Sequence, residues 1–203
     1  SDSGSGIYGT TWNNAQQNIT NTGNIMLAAS SSGNKVILGI YGEEGAVINN
    51  TGNITAGENS IAVYGKGISV NQNGGILSMD KSGLGIYLNG GTGNVNNTIM
   101  NIADKDGVGV YATNSASLTL GNSNTINVGD ITGSMSGSAS GSFGVVGKDN
   151  STVNNFSDMN IGLSSIGIYA ENAIINNAGN ITAAGGSLDG KDGRVLIYGG
   201  RAE

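Results

Sequence analysis

The stretch Ser-Ile-Gly-Ile-Tyr-Ala at 165–170 decides the fold, because variants of it recur along the whole chain. They end in Tyr8, Tyr41, Tyr64, Tyr87, Tyr111, Tyr169 and Tyr198, and Val146 replaces Tyr in one copy. Successive copies lie 33, 23, 23, 24, 35, 23 and 29 residues apart. The base period is therefore 23, with insertions in the first, fifth and seventh repeats. Immediately before each of these positions sit Ile7, Ile40, Val63, Ile86, Val110, Val145, Ile168 and Ile197, all β-branched. Two residues earlier come Leu38, Ile61, Leu84, Val108, Phe143, Ile166 and Val195, with Ser5 as the exception. Between the two columns lie Gly6, Gly39, Ala62, Gly85, Gly109, Gly144 and Gly167, with Leu196 as the exception. Alternation with period two is the signature of a strand.

Two further columns follow within each repeat. One reads Ile19, Ile48, Val70, Val95, Leu120, Val153 and Ile175; the other reads Ile25, Ile54, Ile76, Ile102, Ile126, Ile161 and Ile181. The connection between them is Asn-Asn-Thr-Gly-Asn at 49–53 and Asn-Asn-Ala-Gly-Asn at 176–180, both turn chemistry. Each repeat thus holds three short strands, none able to bury a face alone. Repeats of this length stack into solenoids. The sequence therefore predicts an all-β, right-handed parallel β-helix spanning residues 1–203 as a single unit, with about seven coils of ~23 residues. At about 4.8 Å per strand the rod would be about 34 Å long. Asn21, Asn50, Gln72, Asn97, Asn122, Asn155 and Asn177 are expected to stack as an amide ladder at one turn.

Composition agrees with this reading. Of 203 residues, 37 are Gly and 29 Asn, while Pro, Cys and His are absent and 11% are charged. A thiolate or imidazole metal site and a His-based triad are therefore excluded. The excess of acidic over basic residues, 14 against 8, argues against a nucleic-acid surface. No apolar run is long enough for a membrane-spanning helix. Ile, Leu, Val and Phe number 46, which with their regular placement argues against a disordered linker.

The phrases Ile-Asn-Asn-Thr-Gly-Asn-Ile-Thr-Ala-Gly (48–57) and Ser-Ile-Gly-Ile-Tyr-Ala (165–170) resemble the passenger repeats of large autotransporter adhesins. The similarity is strongest to fusobacterial ones, including the galactose-inhibitable and arginine-inhibitable coaggregation adhesins. It covers essentially the whole chain and lies in the repeat style. It implies a bacterial cell-surface passenger, outer-membrane-anchored or secreted, exported through a β-barrel not contained in this chain. Implied partners are a host cell-surface protein or glycan, or other bacteria. No catalytic motif carries over, and no cofactor is implied. Both ends fall inside the repeat motif, so the chain is expected to be a piece of a longer rod, able to associate end to end through unpaired strand edges.

If Ile or Val points inward, alternation sends the neighbouring Tyr outward. Tyr41, Tyr64, Tyr87 and Tyr111 are thus candidate partner-binding residues on an aromatic stripe, interrupted at Val146. Insertions at 10–18, 27–36, 130–142 and 183–194 are the other candidate sites, since solenoids carry function in loops. The first holds the lone Trp, Trp12; the last holds Asp189, Lys191, Asp192 and Arg194. Gly4, Gly6 and Gly9 match a dinucleotide-binding fingerprint only by glycine abundance. Asp104/Asp106 and Asp189/Asp192 are too few ligands for a calcium loop. A vacuolating or pore-forming toxin passenger and a polysaccharide-degrading β-helix enzyme are the alternative readings. The enzyme is disfavoured because Arg194 and Arg201 are the only arginines.

Overall fold

The computed structural model describes residues 4–10, 15–30, 36–103, 106–129, 141–183 and 195–200. The sequence-predicted Trp12, Asp189, Lys191, Asp192 and Arg194 lie outside these described residues. Among the described residues twenty-two strands form three sheets, and every strand pairing is parallel. The first sheet has eight strands, running from Gly4–Gly9 through Ile37–Glu43, Ser60–Lys66, Leu84–Asn89, Val108–Thr113, Phe143–Lys148 and Ile166–Glu171 to Val195–Gly200. The second has seven, from Asn18–Asn21 to Ile174–Asn177, and the third has seven, from Ile25–Leu27 to Ile181–Ala183. Each strand pairs with the third strand on in sequence, so each coil gives one strand to each sheet. This is a parallel β-helix.

The corners explain much of the Gly and Asn. Between the first and second sheets the chain adopts positive φ in every complete coil from residue 37 on: at Glu44 and Gly45, Gly67, Gly90 and Gly91, Asn114 and Ser115, Asp149 and Asn150, and Asn172. L-residues other than Asn and Asp seldom enter this region, and Gly enters it freely.

The first sheet follows the expected register. Ile40, Val63, Ile86, Val110, Val145 and Ile168 are aligned and fully buried. The simple alternation does not hold, however. Leu38 pairs with Ile61 and Ile40 with Val63, with no pair between them. Along this strand Gly39 and Ile40 are both buried, flanked by half-buried Leu38 and Tyr41. Two residues therefore separate the outward side chains, so the aliphatic column and the tyrosine column share the outer face. Gly109 shows why the intervening residue is small: a Cβ there would lie 2.5 Å from the Gly144 carbonyl oxygen.

In the second sheet the structure corrects two columns. Ile48, Val70, Gly93, Leu118 and Val153 form the inward column, so Gly93 and Leu118 stand where Val95 and Leu120 were expected. The reason is an exchange of bulk between neighbouring strands. In three successive coils a small first-sheet residue faces a large second-sheet one, as Gly9 faces Ile19, Gly42 faces Ile48 and Gly65 faces Val70. In the next coil Leu88 fills the space and Gly93 vacates it, since a Cβ on Gly93 would clash with Leu88 Cδ1. Val95 and Leu120 then occupy the next inward position, aligned with Asn50, Gln72 and Asn155.

The amide ladder is accordingly split, and Asn97 and Asn122 are not part of it. Asn21 Nδ2 donates to Asn50 Oδ1 at 2.7 Å, and Asn50 Nδ2 to Gln72 Oε1 at 2.8 Å. The ladder resumes with Asn155 Nδ2 donating to Asn177 Oδ1 at 2.7 Å. Across the gap, Thr98 and Asn124 take over the turn: the Thr98 N–H donates to Asn124 Oδ1, and Asn124 Nδ2 reaches Ser157 Oγ. The third sheet has two inward columns, one with Ile54, Leu77, Met100, Ile126 and Met159, the other with Met79, Ile102, Val128 and Ile161. The expected single column mixed them, and Ile76 points outward, 41% exposed.

Candidate partner-binding face

The outer face of the first sheet gathers the four predicted tyrosines. Parallel register holds successive coils at one strand spacing, about 4.8 Å. The rings follow, with centroids 5.1 Å apart for Tyr41–Tyr64, 4.7 Å for Tyr64–Tyr87 and 5.3 Å for Tyr87–Tyr111. Tyr8 extends the stack below Tyr41 at 5.3 Å. These spacings suit tilted and edge-to-face contacts between quadrupolar rings.

At the start of the stripe the hydroxyls are tied to a charged neighbour, whereas the Tyr64 hydroxyl accepts from the Asn89 amide. Tyr41 and Tyr8 both donate to the Glu43 carboxylate, at 2.6 and 3.0 Å. Lys66 Nζ pairs with the same carboxylate at 3.3 Å. The Tyr41 bond, aided by Tyr8 and Lys66, holds Glu43 below the usual carboxylate range. Burial, and then the bond to Glu43, push the Tyr41 phenol up. Burial also raises Tyr87. The glutamate two residues past Tyr41 was missed in the sequence, although i and i+2 share a strand face.

Val146 breaks the stack between Tyr111 and Tyr169. In the same strand Phe143 replaces the usual aliphatic residue, so the aromatic ring has moved three residues back. It meets Tyr169 edge-on at 5.9 Å and 79°. A notch of about 360 Å³ remains, lined by Val108, Tyr111, Phe143, Val146, Lys148 and Tyr169. On its rim Lys148 Nζ lies 2.6 Å from Glu171 Oε2 and 5.8 Å from the Tyr169 ring centre. Hydrogen bonds from Lys148 and Tyr169 lower Glu171, and Glu171 in turn raises Lys148 and Tyr169. Beyond the notch Tyr169 and Tyr198 stack at 5.4 Å and 7°.

The other faces mix amides with exposed apolar side chains, Met26, Ile76 and Ile99 on the third sheet and Ile174 on the second. Outward amides bond along the rod, as Asn71 to Asn49, Asn127 to Asn101 and Asn160 to Asn127. A second hollow of about 430 Å³, on the third sheet, includes Thr55, Ser78, Asp80, Asn101 and Asn127. Among the described residues no group of three or more Asp or Glu is placed to hold a metal ion. No protein-family model matches the chain, and neither a curated protein nor a solved structure does.

Proposed function

We propose that this chain is a segment of a bacterial cell-surface adhesin of the autotransporter passenger type, non-catalytic, with the outer face of its first sheet as the contact surface. The observation that carries the reading is the shared face of tyrosines and aliphatic side chains. Leu38, Ile61, Leu84 and Val108 run beside Tyr41, Tyr64, Tyr87 and Tyr111 without being fully covered. Amphipathic phenols beside an apolar strip favour contact with another molecule, because they offer area and hydrogen bonding at low entropic cost. The repeat style supports the surface location, and a stiff rod suits a protein that must hold its contact face away from a cell. The partner is a host or bacterial surface protein or glycan.

The test is a binding screen of the immobilised chain against surface proteins and glycans. It is repeated with Tyr41, Tyr64, Tyr87 and Tyr111 changed together to Ser, with circular dichroism confirming the fold. Binding that disappears in the folded variant supports the reading. Binding that is unchanged, or absent from the wild-type chain, contradicts it.

A further inference from the structure

The interruption at Val146 has the shape of a missing ring. Tyr111, Val146 and Tyr169 are register partners in three successive coils. Two strand spacings, about 9.6 Å, therefore separate the flanking tyrosines at the backbone. A ring inserted midway would sit about 4.8 Å from each neighbour, within the 4.5–7 Å range of aromatic pairs. Occupied steps elsewhere on the stripe measure 4.7 to 5.4 Å. Val146 forms the floor at 5% exposure, and Phe143 closes one side.

The rim matches a phenol in particular. Where the tyrosine is present, as at Tyr41 and Tyr169, its hydroxyl donates to the glutamate two residues on, Glu43 or Glu171. In the Val146 strand that position is Lys148, which brings its ammonium to Glu171. A donor and an acceptor thus stand where the absent hydroxyl would end. A pyranose fits less well. The polar groups within reach are Lys148, Glu171 and two phenol oxygens, so most sugar hydroxyls would lose water without gaining a partner.

We propose that the notch over Val146 binds an exposed tyrosine side chain of a partner polypeptide, which completes the stack between Tyr111 and Tyr169. The proposal deepens the reading of this face as a contact surface and rests on it. The probes are N-acetyl-L-tyrosinamide, p-cresol and a methyl pyranoside, followed by NMR on the whole chain. The control is Phe143→Leu with Val146→Tyr, which restores the pair seen as Leu84 and Tyr87 two coils away.

The expected result is saturable shifts of the Val146 methyls and of the Tyr111 and Tyr169 rings with both phenols. Affinity should be about tenfold or more weaker in the double variant, as loss of two ring contacts requires. The pyranoside should leave these signals in place. No shift with N-acetyl-L-tyrosinamide, equal shifts in the double variant, or stronger binding of the pyranoside would each overturn the proposal. Any of these leaves the wider face to its own test, since Tyr41, Tyr64 and Tyr87 lie outside the notch and Tyr111 alone of the four lines it.

Discussion

Asn50 illustrates what a single buried amide does here. Its side chain accepts from Asn21, donates to Gln72 and donates to the Gly52 carbonyl in its own turn. Replacement by Ala removes one partner from each of two amides, Asn21 and Gln72. We expect Asn50→Ala to destabilise by about 1–3 kcal/mol in urea unfolding. The neighbouring third-sheet strand gives a sharper contrast. Leu77 is fully buried and Ile76 is not. Leu77→Ala should cost about 2–5 kcal/mol and Ile76→Ala about 0.5 kcal/mol or less. Equal costs would mean that the strand faces are assigned the wrong way round.

The glutamates and phenols of the stripe give the stability a pH dependence whose sign is fixed. Glu43 and Glu171 have folded pKa values below the ordinary carboxylate value. Their contribution is therefore present above pH about 4.5 and lost as pH falls through the folded values. Tyr41, Tyr87 and Tyr169 have folded values above the ordinary phenol value. Theirs is present below pH about 10 and lost as pH rises. Melting temperature should therefore fall at both extremes, and Glu43→Gln should shrink the acid-side fall.

At the scale of the element, the exchange of bulk between Leu88 and Gly93 is the most specific packing feature. Leu88→Gly alone opens a cavity, and Gly93→Ile alone overpacks, each costing about 2–4 kcal/mol. The double change recreates the Gly42 and Ile48 arrangement and should return to within about 1 kcal/mol of wild type. A double variant as unstable as the sum of the singles would remove this explanation. The same pair explains what the sequence could and could not reveal. The first sheet was legible because every coil keeps a β-branched residue beside Tyr or Val146. The second was misregistered by two because Gly93 carries no side chain to mark an inward position, and Val95 was the nearest apolar residue. In the third sheet Ile76 was mistaken for core because adjacent Ile76 and Leu77 are both apolar. Tyr41, Tyr64, Tyr87 and Tyr111 were found from spacing alone. Leu38 and its column were expected to point inward, because period-two alternation does not foresee the extra residue at Gly39.

At the scale of the molecule, three sheets share one narrow core. Register partners stay aligned on either side of the longer repeats, as Tyr8 with Tyr41 and Tyr111 with Val146, so the ladder continues without a change of register. Such an arrangement sets the buried columns, which carry the stack, apart from the outer face of the first sheet, the contact surface proposed above. It also makes ring order along the rod a direct reporter of fold and surface together. The decisive measurement is a set of ring-to-ring nuclear Overhauser contacts with the tyrosines individually assigned. The account predicts cross-peaks for Tyr41–Tyr64, Tyr64–Tyr87 and Tyr87–Tyr111, partners 23 or 24 residues apart in sequence, and none for Tyr41–Tyr87. Absence of the neighbour contacts in the folded chain would contradict both the stacked coils and the continuous tyrosine face.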